Sequence, residues 1–425
     1  MIVGADVYGL ILNVGVRKGT ANEQVAQDTT LGWILSGPVP AISEHSNPSS
    51  NISMHHCATL ESVDSAIRRF WEVEELPSRF QLTPAETVCE NHFVATHKRT
   101  ASGRYCVRLP FVQGPPIDIG TSFPAVECMW LRQERRIHAN PSFAAEYVQF
   151  MQEYKSLQHM SEISDTDSTS SQHVYIPHHA VVRDNSITSR LRVVFNASYR
   201  TSNGTSLNDH LHIGRKLQTD LPAIILRWRL HRYVYIADIE KMYRQILVDD
   251  RDLDYQRIVW RASPTEPLRH FRLRTVTYGT APAPYLALRV LQQLAADEGS
   301  KYPLALPVLQ SQVYVDDCVF GADDQQLAIQ TRNQLISLFK CGGFNLRKWA
   351  SNSPALLSDL NSSDNLAHSK LLQPDESLKV LGILWDPTSD AFYFNIQPEP
   401  NIPQTKRAIL STIAKFFDLL GWVTP

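Results

Sequence analysis

No apolar run in this chain of 425 residues approaches the roughly 20 residues that a membrane-spanning helix needs. Its start, Met1-Ile2-Val3-Gly4-Ala5-Asp6, lacks the basic and apolar regions of a secretory signal. Cysteine is sparse, at positions 57, 89, 106, 128, 318 and 341, and no two of them form a Cys-x-x-Cys pair. That scatter argues against a disulfide framework or a zinc site and fits reduced thiols inside a cell. His55-His56-Cys57 and His178-His179 have no matching second half at zinc spacing. An excess of positive charge is missing too: 41 Lys and Arg against 43 Asp and Glu leave a net charge of −2. The distribution is less neutral. Residues 183–274 hold 17 basic and 10 acidic side chains, a local balance of +7. Within them, Arg227-Trp-Arg-Leu-His-Arg232 and Arg269-His-Phe-Arg-Leu-Arg274 interleave cations with aromatics. Such a pattern suits phosphate contacts and base stacking, or else a solvated charged face.

What the sequence does contain is a pair of adjacent carboxylates in an apolar setting, Tyr314-Val-Asp316-Asp317-Cys-Val-Phe320. The flanks favour strands, so the segment reads as a β-hairpin with Asp316-Asp317 at its tip. Two negative charges side by side call for a counter-charge, and Mg²⁺ takes few carboxylates plus substrate phosphates. Upstream, Tyr233-Val-Tyr-Ile-Ala-Asp238 is another apolar strand with an acid near its end. If that strand lies beside the hairpin, Asp238 faces Asp316, and the two would hold two metal ions about 3.5–4 Å apart for phosphoryl chemistry. Each segment alone also reads as an ordinary surface turn, with Asp238 paired to Lys241 or Arg244.

The ordered set is more specific. Asp238 with Tyr243 five residues on, then Tyr278-Gly279-Thr-Ala-Pro-Ala-Pro284, then Tyr314-Val-Asp316-Asp317, then Leu381-Gly382-Ile383 resembles the motif series of reverse transcriptases. The wording of residues 31–38, 237–246, 275–281 and 346–353 resembles the Pao/Bel group of LTR retrotransposons, in order along essentially the whole chain. The resemblance implies an α+β fold, a right-hand polymerase with fingers, palm and truncated thumb. It also implies an RNA-directed DNA polymerase, taking dNTPs and a primed RNA or DNA template. The expected cofactor is two Mg²⁺ ions, with Mn²⁺ as a substitute. By motif match Asp238, Asp316 and Asp317 would be catalytic and metal-binding. Arg183, Arg192, Ile239 (through its carbonyl), Tyr243, Tyr278, Gly279 and Lys348 would bind nucleotide. Tyr243 would crowd a ribose 2′-hydroxyl, and Lys348 would protonate the leaving pyrophosphate. Asn196 stands where the family pattern has Asp, and Gln158 where it has glycine. The competing expectation is a decayed or co-opted fragment that binds nucleic acid without catalysis.

Residues 1–40 resemble the end of a retropepsin-like protease, but the Asp-Thr/Ser-Gly triplet is absent from the sequence. A protease remnant over 1–40, a linker over 41–61, a mainly helical connector over 62–140 and a polymerase region over 141–425 is the expected order, with the thumb starting near 397. RNase H and integrase regions would belong to a longer polyprotein, in a cytoplasmic retroelement particle away from membranes. Helices are expected over 62–76, 83–98, 142–158, 284–297, 325–341 and 406–419. The loop 161–171 reads as flexible. Strands are expected over 103–111 and 191–195. Asp323 with Gln326 reads as a capping box. Residues 380–385 and 392–396 read as a hairpin across Asp386-Pro387-Thr388.

Overall fold

The computed structural model describes residues 9–20, 25–30, 32–36, 82–164, 172–182, 191–360, 378–393, 405–413 and 421. Arg183, the helix expected over 62–76, the linker, the thumb start near 397, most of the 161–171 loop, and the last turns of the final helix lie outside them. The chain divides into two units, Met1–Phe80 and Gln81–Pro425. In the first, β1 (Leu12–Lys18), β2 (Val25–Thr29) and β3 (Gly32–Ser36) form an antiparallel sheet in sequence order. Among the described residues no helix is long and apolar enough to cross a membrane.

The second unit is mixed α+β. Its helices start where local chemistry tells them to. Helix α1 (Pro84–Thr96) has proline in its first turn and a reciprocal capping box between Thr83 and Glu86. Helices α2 (Phe123–His138) and α3 (Pro141–Ser156) pack against each other, and Asn140 caps α3. Strand β4 (Met160–Glu162) begins a small sheet with β8 (Arg257–Trp260) and β9 (Arg269–Leu273). A two-stranded ribbon pairs β5 (His178–Val182) with β6 (Leu191–Phe195). Helix α4 (Leu221–Arg229) leads into β7 (Tyr233–Ile239).

Strand β7 organises the unit. It lies between β11 (Asp317–Ala322) and β12 (Leu346–Ser351), and the short β10 (Val313–Tyr314) flanks β11. Neighbouring side chains on a strand point to opposite faces. Accordingly Tyr235, Ala237 and Ile239 enter the main core with α5 (Ala283–Glu298) and α6 (Gln325–Cys341). Val234 and Ile236 enter a second core with Trp228, Val319, Ala350 and Trp385. A strand buried on both faces needs an almost continuous apolar run, which Tyr233–Ile239 supplies up to Asp238. Helix α5 buries Leu286, Val290 and Leu294, the stripe its periodicity predicts.

Three local expectations shift. The cap of α6 is Asp324, whose side chain accepts from Leu327 N at 2.9 Å, one residue beyond the Asp323 expected. The expected strand over 103–111 shortens to Tyr105–Val107. The strand expected over 380–385 is broken by a turn at Leu381-Gly382, both at positive φ. It separates β13 (Leu378–Val380) from β14 (Ile383–Asp386), which then pairs with β15 (Ala391–Tyr393). The last described helix, α7, covers Lys406–Ile413.

Candidate active site

The hairpin is real, but its turn is Val315-Asp316 and not Asp316-Asp317. Tyr314 pairs with Asp317, which is the first residue of β11. Val315 sits at φ 55, the position where a tight hairpin turn prefers glycine. A β-branched residue there is strained, and such strain collects at functional sites. Across the sheet, Asp317 stands directly opposite Asp238 in the β11–β7 register. Asp316 is tied to the same strand through the backbone, Ile239 N donating to Asp316 O at 2.7 Å. A cross-strand pair of like charges is unfavourable, so the sheet holds these acids together against their own repulsion.

The electrostatics record that cost. Asp317 is pushed up to about 7, first by desolvation, then by the charges of Asp316 and Asp238. Asp316 is also raised, by desolvation and then by Asp238. Its side chain is exposed at the turn, so the neighbouring charge is the firmer of its two causes. Asp238 is answered by Lys348, whose Nζ donates to Oδ2 at 2.5 Å. Lys348 gets there through a bulge. The β12–β7 register breaks between Arg347 and Ala350, and Lys348 takes φ 55. The surface pairings considered for Asp238 do not form: Lys241 pairs with Glu153, and Arg244 lies over Phe150 and Tyr154.

All the donors here are hard oxygens, the set that suits Mg²⁺. Among the described residues, no three His, Cys, Asp or Glu side chains are drawn together as a ready metal cage. The Lys348 ammonium takes the place beside Asp238 where a cation's charge is wanted. If so, removing it should remove a competitor. Lys348→Met should tighten Mn²⁺ binding by roughly threefold, the scale of a partly exposed ion pair. Calorimetric titration of both proteins checks this, and equal or weaker binding in the variant contradicts it.

The other predicted residues differ in how directly they are tied to the carboxylates. Tyr243 is half-buried against the core, and its hydroxyl is raised by burial and then by the charge of Asp316. Arg192 is exposed on β6, and its charge acts on both Asp316 and Tyr278. Tyr278 donates to Val193 O at 2.5 Å, with its ring 5.5 Å from Phe195. Gly279 sits at φ +106, and a Cβ there would lie 2.1 Å from Phe195 O. Ile239 contributes its backbone N–H as described; Arg183 is not among the described residues.

Two arrangements were not visible in the sequence. Asn208 clamps the Tyr278-Gly279 turn, donating to Gly279 O at 3.0 Å and accepting from Ala281 N at 2.8 Å. Nothing in Leu207-Asn-Asp-His210 announces that role. The basic aromatic segments are also used internally. Trp228 and Phe271 are buried, while Arg229, Arg269 and Arg272 pair with Asp390, Glu162 and Asp254. Gln158, in the place of the expected glycine, takes φ 57, which explains why glycine would suit that position.

No protein-family model matches this sequence, and no curated protein is similar to it. Among solved structures, the protease–reverse transcriptase of prototype foamy virus is similar, with a TM-score of 0.39 and 13% identity. The match covers 68% of this chain and 31% of that one.

Proposed function

We propose that this chain carries a nucleotidyl-transfer site of the reverse-transcriptase kind, adding dNTPs to the 3′-hydroxyl of a primer on an RNA or DNA template. The observation that carries the reading is the placement of Asp238, Asp317 and Asp316 on adjoining strands and their turn. No packing requirement accounts for it, and it costs electrostatic energy. The motif order around it, from Asp238 to Leu381-Gly382, supports the Pao/Bel-type retroelement origin. An intracellular setting, away from membranes, is part of the same reading.

The reaction joins the primer 3′-oxygen to the α-phosphorus and breaks the bond to pyrophosphate. When bound at Asp238 and Asp316, Mg²⁺ would supply positive charge to the α-phosphate and the leaving group. Asp317, whose carboxyl is pushed up in the metal-free fold by burial and by Asp316 and Asp238, is the third acid of the set. Arg192, exposed and with its charge acting on Asp316, suits a triphosphate oxygen, because a guanidinium binds phosphate in a fork. Tyr278 and Gly279 are assigned to the floor beneath the base, and the close approach of Phe195 O to Gly279 fixes that turn against the ribbon. Lys348 leaves Asp238 to give its proton to pyrophosphate.

Tyr243, five residues beyond Asp238 and within the field of Asp316, is the residue assigned to close off the sugar. Tyr243→Ala should therefore relax discrimination against rNTPs by about tenfold or more while largely sparing dNTP incorporation, because rejection by clash is lost and nothing attractive is removed. Matched dNTP and rNTP single-nucleotide extensions measure it. An unchanged preference with activity retained would place Tyr243 in the core alone. A second reading, an inert nucleic-acid-binding descendant, draws on the Lys348–Asp238 pair, which neutralises the acid without any metal. Primer extension separates the two readings.

A further inference from the structure

The helical turn Met242–Gln245 carries Tyr243 and does little to hold itself. Its cap residue, Lys241, sits at φ 49 and makes no side-chain bond to it. The bond that closes its far end is long, Ile246 N donating to Tyr243 O at 3.3 Å. A helix leaves its last carbonyls without partners inside the helix. Here two of them are taken by Arg104, from a distant part of the chain. Its Nη2 donates to Arg244 O at 3.0 Å, and its Nε donates to Gln245 O at 2.9 Å. A guanidinium presents its N–H groups as a fork, and a helix C-terminus favours a cation.

These bonds form against resistance. Arg104 is half-buried, and burial and then the charge of Arg274 both weaken its hold on its proton. Among the described residues no carboxylate pairs with it. A half-buried cation without an acid is costly, and this one spends its donors on backbone carbonyls. The fold also makes room for it. At Gly343, φ +76, a Cβ would lie 2.5 Å from Arg104 Cγ.

Arg104 belongs to a hairpin in which Lys98–Arg99 pairs with Tyr105–Val107, before the first of the ordered motifs. The same hairpin grips the chain just beyond the Tyr243 turn. Cys106 and Val107 pair in parallel with Leu247 and Val248, and Asp249 N donates to Val107 O at 2.9 Å. Helix α3 holds the turn as well, Glu153 pairing with Lys241, and Phe150 and Tyr154 lying under Arg244.

We propose that Arg104 is a positioning residue for sugar selection: it fixes the turn that carries Tyr243, so that the ring stands firm against a ribose 2′-hydroxyl. Rejection by clash works only if the ring cannot move aside. This rests on the polymerase reading and adds to it a residue from outside the motif series.

The test is single-nucleotide extension with matched dNTP and rNTP by the whole chain, with amide hydrogen exchange over residues 241–248 read in parallel. Arg104→Met keeps the stem and removes the donors. It should relax the dNTP preference by roughly fivefold, the scale of one hydrogen bond from a charged group, and speed exchange across the turn. Arg104→Lys, which keeps a charge and a donor, should fall between that variant and the unaltered chain. Arg99→Met is the control. Arg99 anchors the same hairpin through Glu298 and Cys341 O, so its loss should leave the preference unchanged. Adding Arg104→Met to Tyr243→Ala should relax the preference no further than Tyr243→Ala alone, because Arg104 acts through that ring. Additive effects in the double variant overturn the proposal, as does an unchanged preference in Arg104→Met. Equal relaxation by Arg99→Met also overturns it, because then only the anchoring of the hairpin matters. The polymerase reading fails separately. A chain that adds no nucleotide loses that reading and the sugar role together, and exchange then decides whether Arg104 fixes the turn. A chain whose sugar preference answers to Tyr243 but not to Arg104 loses the Arg104 role alone.

Discussion

Asp316→Asn and Asp238→Asn should each remove nucleotide incorporation, by on the order of 10³-fold or more, with the fold intact. Both changes keep side-chain size and delete a charge on which the proposed cation site depends. Asp317→Asn should cost less, about tenfold, because Asp238 and Asp316 are the pair proposed to hold the cations. Stability should move the other way. Asp317 is raised from 3.8 to about 7 in the fold, so the folded chain binds that proton more tightly than the unfolded chain. Without added metal, stability should then fall as pH rises between those values, and Asp317→Asn should lose that slope. Single-nucleotide extension rates and thermal melts across this pH range measure both effects. Asp316→Asn extending primers at a rate within tenfold of the unaltered chain would sink the assignment.

Gly279→Ala should be the most damaging small substitution near the site. Its Cβ would meet the Phe195 carbonyl oxygen at 2.1 Å, a backbone atom that cannot swing away, at φ +106. The expected cost is about 3 kcal/mol, the sum of backbone strain and overpacking, with a clear fall in melting temperature. Gly204→Ala is the control. It has φ +84 but nothing within 4 Å of a new Cβ, so only the backbone term applies, about 1 kcal/mol. Differential scanning calorimetry of the pair decides it. Equal costs would mean that the ribbon shifts freely at Phe195, and that the Tyr278-Gly279 floor is not rigid.

Much of this architecture is legible in the residues, because short-range rules govern it. The Thr83–Glu86 box starts α1, and the Leu286, Val290, Leu294 stripe is the buried face of α5. The apolar runs ending at Asp238 and starting near Asp317 do become neighbouring strands. What the sequence hides is register. A shift of one residue moves the turn from Asp316-Asp317 to Val315-Asp316, and Asp317 becomes the acid facing Asp238. Turn chemistry favours acids at the tip, and here the pairing of β10, β11 and β7 overrides it. The bulge that turns Lys348 toward Asp238 is likewise a property of the sheet, with no marker in Leu346-Arg-Lys-Trp349. Asn208 acts on a turn seventy-one residues away in sequence, which no local pattern encodes. The arginines of 227–232 and 269–274 announce a nucleic-acid surface by composition. Several are instead paired with acids of the same chain, since composition does not say which acids lie opposite.

The most direct measurement is single-nucleotide extension of a labelled primer on an RNA template by the whole chain, with and without Mg²⁺. The account predicts addition of the complementary dNTP, strictly dependent on a divalent cation and absent from Asp238→Asn. A folded chain that binds the primer–template but adds no nucleotide in Mg²⁺ or Mn²⁺ would contradict it.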